Sequence, residues 1–172
     1  VMIGALEGDT VDGTVAIGYS ALNALTSGAR NIAIGHSSAD ALTQGDDNIA
    51  IGYDALGTAS TTDGIDKNIA IGSYALDGTS GQEIHSAIAI GYGALGGAAE
   101  NEVTGTIAIG REALTALTTG DGNVAIGHTS GMAINTGQYN TLLGYEAGLA
   151  LTTGTSNVFL GWKAGKAQVE AG

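Results

Sequence analysis

The phrase Asn-Ile-Ala-Ile-Gly-x-x-Ala-Leu recurs, with small variations, from one end of the sequence to the other, and it constrains the fold more than any other feature. Its glycine stands at Gly4, Gly18, Gly35, Gly52, Gly72, Gly91, Gly110, Gly127, Gly144 and Gly161. The commonest interval is 17 residues, as from Gly18 to Gly35 to Gly52; Gly4 to Gly18 is 14, and the three intervals between Gly52 and Gly110 are 20, 19 and 19. A short fixed period means units that pack on their neighbours, the mark of a solenoid. Catalysis needs unlike residues converging on one point, and a ruler of like phrases does not supply them. The chain reads as a non-enzyme.

With the glycine counted as zero, the −1 position is Ile17, Ile34, Ile51, Ile71, Ile90, Ile109, Ile126, Leu143 and Leu160, and −3 is Val15, Ile32, Ile49, Ile69, Ile88, Ile107, Val124, Thr141 and Val158. Between them, −2 is alanine at Ala16, Ala33, Ala50, Ala70, Ala89, Ala108 and Ala125, then Leu142 and Phe159. Large and small alternate with period two and the large residues are mostly β-branched, so each phrase is a strand. The fold class is therefore all-β: a parallel β-solenoid, a β-roll or β-helix of about ten coils with a period of ~17. It covers residues 1–166, with 167–172 as a C-terminal tail. The Ile columns are expected to point into the solenoid, each side chain contributing roughly 1.5–3 kcal/mol. The other face, with Ala33, Ala50 and Ala70 at −2 and Gly35, Gly52 and Gly72 at zero, projects little and is expected to be the seam where a second chain approaches. An apolar stripe repeated so often is costly to leave in water, so the chain is expected to associate with itself.

Asn31, Asn48, Asn68, Asn123, Asn140 and Asn157 form a column at −4, with Thr14 and Thr106 in two copies and Ala87 an exception. Stacked Asn side chains bond rung to rung, so this column is read as a structural ladder. The +1 slot holds Tyr19, His36, Tyr53, Ser73, Tyr92, Arg111, His128, Tyr145 and Trp162. Its parity groups it with the Ile columns, which predicts that Tyr19, Tyr53, Tyr92 and Tyr145 pack in the core or its shoulder; facing out, they would make a stripe suited to glycans. Ala-Leu follows, with a second Leu three residues on in Leu22/Leu25 and Leu114/Leu117. That spacing predicts one helical turn per coil, or a second short strand. Turns such as Thr26-Ser27-Gly28 and Thr118-Thr119-Gly120 close the unit. Extra residues in Thr58–Lys67, Asp77–Ser86 and Gly96–Thr104 map to loops on one face, and these are the expected protrusions.

The 172 residues include 30 glycines, no proline, no cysteine, one Phe and one Trp, so aliphatic residues must build the core, and neither a disulfide framework nor a thiolate metal site is possible. The net charge of −12, from 17 acidic and 5 basic residues, disfavours nucleic acid and anionic membrane surfaces as partners. No apolar run approaches the ~20 residues of a membrane-spanning helix. There is no signal-peptide pattern, and Val1-Met2-Ile3-Gly4 matches the end of a strand phrase, so the sequence reads as a piece of something longer or a mature product. His36 and His128 share a slot about five coils apart, roughly 24 Å, too far to share a metal, and His85 falls in an inserted loop. Asp46-Asp47, Asp63/Asp66 and Asp121 lie in turns but do not recur with the repeat, and the calcium-binding nonapeptide phrase is absent. Ice binding through flat Thr arrays is disfavoured, because Gln44 and Asn135 break the Thr columns. No cofactor is expected.

The phrases Asn123-Val-Ala-Ile-Gly-His and Asn48-Ile-Ala-Ile-Gly-Tyr-Asp-Ala-Leu resemble the repeat of trimeric autotransporter adhesin heads. The longer unit with Ala-Leu and Thr-Thr-Gly is similar to repeats of phage tail-fibre proteins and related bacterial surface proteins. Asn140-Thr-Leu-Leu-Gly-Tyr-Glu-Ala-Gly and Asn157-Val-Phe-Leu-Gly-Trp-Lys-Ala-Gly resemble the last repeats before the chaperone region of such fibres. The resemblance implies an extracellular or virion fibre, a homotrimer, that presents an attachment surface to a cell. The adhesin-head period is nearer 14, so the coil cross-section should differ. The reading that follows is a structural and adhesive fibre module, a phage tail-fibre shaft or tip, with a bacterial surface adhesin or an end-to-end stacking extracellular filament as alternatives. Its partners would be further copies of itself and a host cell-surface glycan or protein.

Overall fold

The computed structural model of the protein describes residues 2–3, 12–57, 65–78, 84–97 and 103–166. Among them there is no helix. The strands are β1 (Met2–Ile3), β2 (Val15–Ile17), β3 (Ile32–Ile34), β4 (Ile49–Ile51), β5 (Ile65–Asp66), β6 (Ile69–Ile71), β7 (Ile84–His85), β8 (Ile88–Ile90), β9 (Val103–Thr104), β10 (Ile107–Ile109), β11 (Val124–Ile126), β12 (Thr141–Leu143) and β13 (Val158–Leu160). One sheet runs β1-β2-β3-β4-β6-β8-β10-β11-β12-β13, and a second is β5-β7-β9. From β2 onward the large sheet is parallel and each residue meets its own counterpart, as Ile32↔Ile49, Ala33↔Ala50 and Ile34↔Ile51. The fold is thus a parallel β-solenoid of about eight turns with a period of ~17.

The first copy departs from the stack. β1 pairs antiparallel with β2, Met2 opposite Ala16 and Ile3 opposite Val15. The 14 residues from Gly4 to Gly18 fall three short of the usual circuit, so this copy covers the edge of β2 and does not add a coil. Ten phrases therefore do not make ten coils.

The expected helical turn is also absent. After the motif glycine the backbone has positive φ at +2 and again at +4, as in Ser20 (56°) and Leu22 (51°), or Asp54 (47°) and Leu56 (54°). A right-handed helix admits no such residues. The chain instead makes overlapping turns, with Asn23 N–H donating to Ser20 O and Leu25 N–H to Leu22 O. Positive φ at the third residue of a turn is the type II pattern. Left-handed residues other than glycine cost roughly 1–2 kcal/mol each. The gain is that N–H groups around the corner still point along the solenoid axis: Ser37 N–H donates to Tyr19 O and Leu22 N–H to Ser38 O in adjacent coils.

The core reverses the expected sense of the strand. Ala33, Ala50, Ala70, Ala89, Ala108 and Ala125 are buried inside the solenoid, while the Ile residues at −3 and −1 lie outside and are only half-buried. The opposing wall explains why. Leu56, Leu76, Leu95 and Leu114 at +4, with Leu42, Leu117, Ile134 and Leu151 at +7, already fill the narrow interior. Interiors are packed to crystal density, and there is room across from those leucines for a methyl group but not for two columns of Ile. In the longer coils the +7 leucine is missing, and Ile65, Ile84 and Val103, the first residues of β5, β7 and β9, enter the core in its place with no exposure. The tips of those coils, residues 58–64, 79–83 and 98–102, lie outside the described residues. So do Asp63, the Ala5-Leu6 copy and the tail 167–172.

Candidate interaction surface

Strand parity sorts each phrase into two sides. Positions −4 and −2 face inward; −3, −1 and +1 face outward. On the inner side the Asn column becomes a ladder. Asn31 Oδ1 accepts from both the backbone N–H (3.0 Å) and the Nδ2 (3.1 Å) of Asn48, and Asn48 Oδ1 accepts the same pair from Asn68 at 3.0 and 3.1 Å. Asn68 Oδ1 takes the N–H of Ala87 at 2.9 Å, where the ladder stops for want of a side-chain amide. A second run goes from Asn123 to Asn140 to Asn157 with distances of 2.9–3.0 Å. Each Nδ2 also donates to a carbonyl where the circuit closes, as Asn68 to Ile84 O at 2.7 Å and Asn140 to Gly154 O at 2.7 Å. From Asn31 to Asn140 these amides are buried and committed to the ladder, while Asn157, half-buried, ends the described run and only donates.

The motif glycines are committed within the chain as well. A Cβ on Gly35 would stand 2.3 Å from the carbonyl oxygen of Gly52, and one on Gly52 would stand 2.7 Å from Gly72. Together with the buried Ala33, Ala50 and Ala70, this removes the expected Ala/Gly seam. The alanines are enclosed in the core, out of reach of a second chain, and the partly exposed glycines are where one coil of the chain meets the next.

The turn carboxylates that suggested cation ligation have backbone partners. Asp46 Oδ1 accepts the N–H of Ala29 at 2.7 Å, Asp66 Oδ1 that of Asp46 at 2.8 Å, and Asp121 Oδ1 that of Thr104 at 2.8 Å. Each caps a donor of the preceding coil. Arg30 grips Asp47 through Nε and Nη2 at 2.6 and 3.0 Å and reaches Asp46 at 3.5 Å. The hydrogen bond from Arg30 holds the Asp47 carboxyl below its usual range. At the other end, Lys166 (2.6 Å) and Lys163 (3.8 Å) close on Glu146, and the bond from Lys166 lowers the carboxyl in the same way.

What remains open is the outer side. Two columns of Ile, Val and Leu run the length of the sheet, with Ile17 40% exposed and Leu160 72% exposed at its ends. Beside them the +1 side chains form an aromatic file. Tyr19 and His36 stack at 5.1 Å, His36 and Tyr53 at 5.3 Å, and His128 and Tyr145 at 5.2 Å. Tyr53–Tyr74 and Tyr74–Tyr92 are edge-to-face at 5.3 and 5.7 Å, and the Arg111 guanidinium lies over Tyr92. These rings are exposed, Tyr19 by 75%, and do not pack in the core as the parity rule had predicted. The parity was right, but the Ile side turned out to be the outside. The neighbouring carboxylates act on two of the rings: the charge of Asp54 raises the Tyr53 phenol, and a hydrogen bond with Glu146 raises that of Tyr145.

The file changes step at Ser73, where the aromatic moves to Tyr74. In the next coil Gly93 occupies the +2 slot that holds a side chain in the other coils and Gly96 a +5 slot that is glycine elsewhere only at Gly57, and a groove of about 380 Å³ opens between Tyr74, Tyr92, Glu112 and Thr115. It is the recess on this file that the sequence reading missed. The signal was available as two glycines off the motif register, one coil after the shifted Tyr74. No protein-family model, no curated protein and no solved structure matches the chain.

Proposed function

We propose that the chain is a structural and adhesive fibre module that works outside the cell or on a virion, as a phage tail-fibre shaft or tip, in a homo-oligomer of three copies. The observation that carries this reading is the coil-to-coil bonding that runs through the described residues from β2 to β13. Nine parallel strands pair in register, and the corners and closing turns between them also exchange backbone hydrogen bonds with the next coil. Such a body resists bending and presents the same outer columns along its length. The adhesive contact is assigned to the groove beside Tyr74 and Tyr92, where exposed rings and the Glu112 carboxylate offer a sugar or a protein side chain both an apolar edge and a hydrogen-bond acceptor.

A filament built by end-to-end stacking is a weaker reading. Among the described residues β13 pairs with β12 alone, and Val158 and Leu160 are each 72% exposed, which leaves that edge able to take an added strand. At the other end β1 already covers β2, so stacking would have to displace it. Electron microscopy of the purified protein, paired with cell-binding assays on candidate hosts, tests the proposal. Short rods that bind cells, with binding lost in Tyr92→Ala, support it. Long fibres growing with concentration would favour stacking, and compact particles without cell binding would refute the fibre reading.

A further inference from the structure

The outer Ile face is a long apolar surface on a strongly acidic chain. None of the residues in β2, β3, β4, β6, β8 and β10–β13 is charged, although the chain carries 17 acidic and 5 basic residues. Copies of a chain with net charge −12 repel one another wherever acidic surface meets acidic surface. This strip is where they can approach without that cost.

We infer that the columns at −3 and −1 are the seam along which a second copy of this chain docks, an inference that rests on the homo-oligomeric reading above. The pitch of the face selects the partner. It presents rows of Ile, Val and Leu, with Thr141 the one polar member, at the strand spacing of ~4.8 Å over nine strands, a length of about 38 Å. A partner must offer matching rows over that length for side chains to settle between rows, and this chain carries such a face. The extent also suits an interface. With the ring edges of the +1 file as its rim, the footprint is about 500 Å² before side-chain relief is counted, approaching the ~800 Å² per partner of a stable complex. A charge-free aliphatic centre with aromatic rings along one edge fits the depletion of charge and the enrichment of aromatic residues in such interfaces.

Because the chain has no cysteine, single cysteines are unique probes. Ile90 lies in β8, the middle strand of the nine, so it meets its counterpart in either a parallel or an antiparallel pairing of copies. Ile90→Cys and Ile88→Cys on the face, and Ala116→Cys on the exposed turn segment across the core, are treated with a short bis-maleimide, with light scattering recording the association state of each. The expected result is an oligomer in all three, with loss of the monomer band in both face variants and its retention in Ala116→Cys. An oligomer crosslinked through Ala116→Cys and not through the face variants overturns the seam and leaves self-association standing. A monomer at every concentration overturns both. Circular dichroism of each variant confirms the fold, and the two face variants must agree.

Discussion

A coil in the middle of the solenoid and the coil at its C-terminal end are built from the same phrase and pack differently. In the middle, Ala108 at −2 faces Leu114 at +4, and both are fully buried. At the end, Leu142 and Phe159 take the −2 slot, and glycines take +4. A Cβ on Gly131 would lie 2.7 Å from Leu142, one on Gly148 would lie 3.0 Å from Leu142 and 3.2 Å from Phe159, and one on Gly165 would lie 2.5 Å from the Phe159 ring. Each large residue is thus straddled by two glycines. Bulk has moved from one wall of the core to the other with the total conserved, as interiors of native density require. The last described coil also differs at its motif glycine. Nothing described lies within 4 Å of a Cβ on Gly161, whereas one on Gly110 meets Gly127 O at 2.3 Å. The difference teaches that the motif is partly a rule about the neighbouring coil: the glycine is sterically required where such a coil packs against it.

The sharpest way to break this contrast is at the motif glycine. Gly110→Ala, at φ 134° and against the next coil, should cost more than about 4 kcal/mol. Gly161→Ala, at φ 121° with open space, should cost only the backbone strain of about 1–3 kcal/mol. Equal losses in denaturant melts would show that coil contact is not what demands glycine. Next comes the ladder. Asn123→Ala orphans the buried N–H of Asn140 and should cost about 2–4 kcal/mol. Asn157→Ala, whose Oδ1 serves no described later rung, should cost about 1 kcal/mol.

The core swap gives a third, reversible test. Leu stands at +4 with φ near 51–54° elsewhere in the chain, so the backbone at Gly148 admits Leu, at the left-handed cost the other coils already carry. It should lose about 1–3 kcal/mol by overpacking against Leu142 and Phe159. Converting both of those to Ala in the same chain should recover most of it, and additive losses would refute the compensation. The smallest effect is electrostatic. Asp47 and Glu146 have lowered folded-state pKa values, so their contribution is full above the ordinary carboxyl range near pH 4 and fades as pH falls through the folded values. The Asp47–Arg30 pair is solvent-screened at the surface, and Asp47→Asn should do no more than flatten the acid limb of the melting temperature.

The strand phrase, the period and the parallel stacking could all be read from the repeat, because identical phrases at one interval leave few other ways to pair. Which side of the strand faced inward could not be read from the alternation of size, since large-in and small-in have the same period. A clue was present in the +1 slot. A column that admits Arg111 and Trp162 alongside tyrosines is a surface column, and it shares parity with Ile. The left-handed corner at +2 and +4 was hidden because Ser20, Asp54 and Leu56 carry no glycine to advertise positive φ. The groove at Gly93 and Gly96 arises from side chains that are missing, which a search for chemistry-bearing residues passes over.

The central claim is that alanine lines the core and isoleucine the outside. Ala89→Asp and Ile90→Asp, adjacent residues on one strand, test it in a single pair of thermal melts by circular dichroism at low protein concentration. Ala89 is fully buried and Ile90 half-buried. Ala89→Asp should abolish the cooperative transition, because it places an unpaired carboxylate among leucines, while Ile90→Asp should keep the native spectrum and a cooperative melt, lowered only by what weaker association of copies removes. The reverse outcome, with Ile90→Asp unfolded and Ala89→Asp intact, would contradict the account.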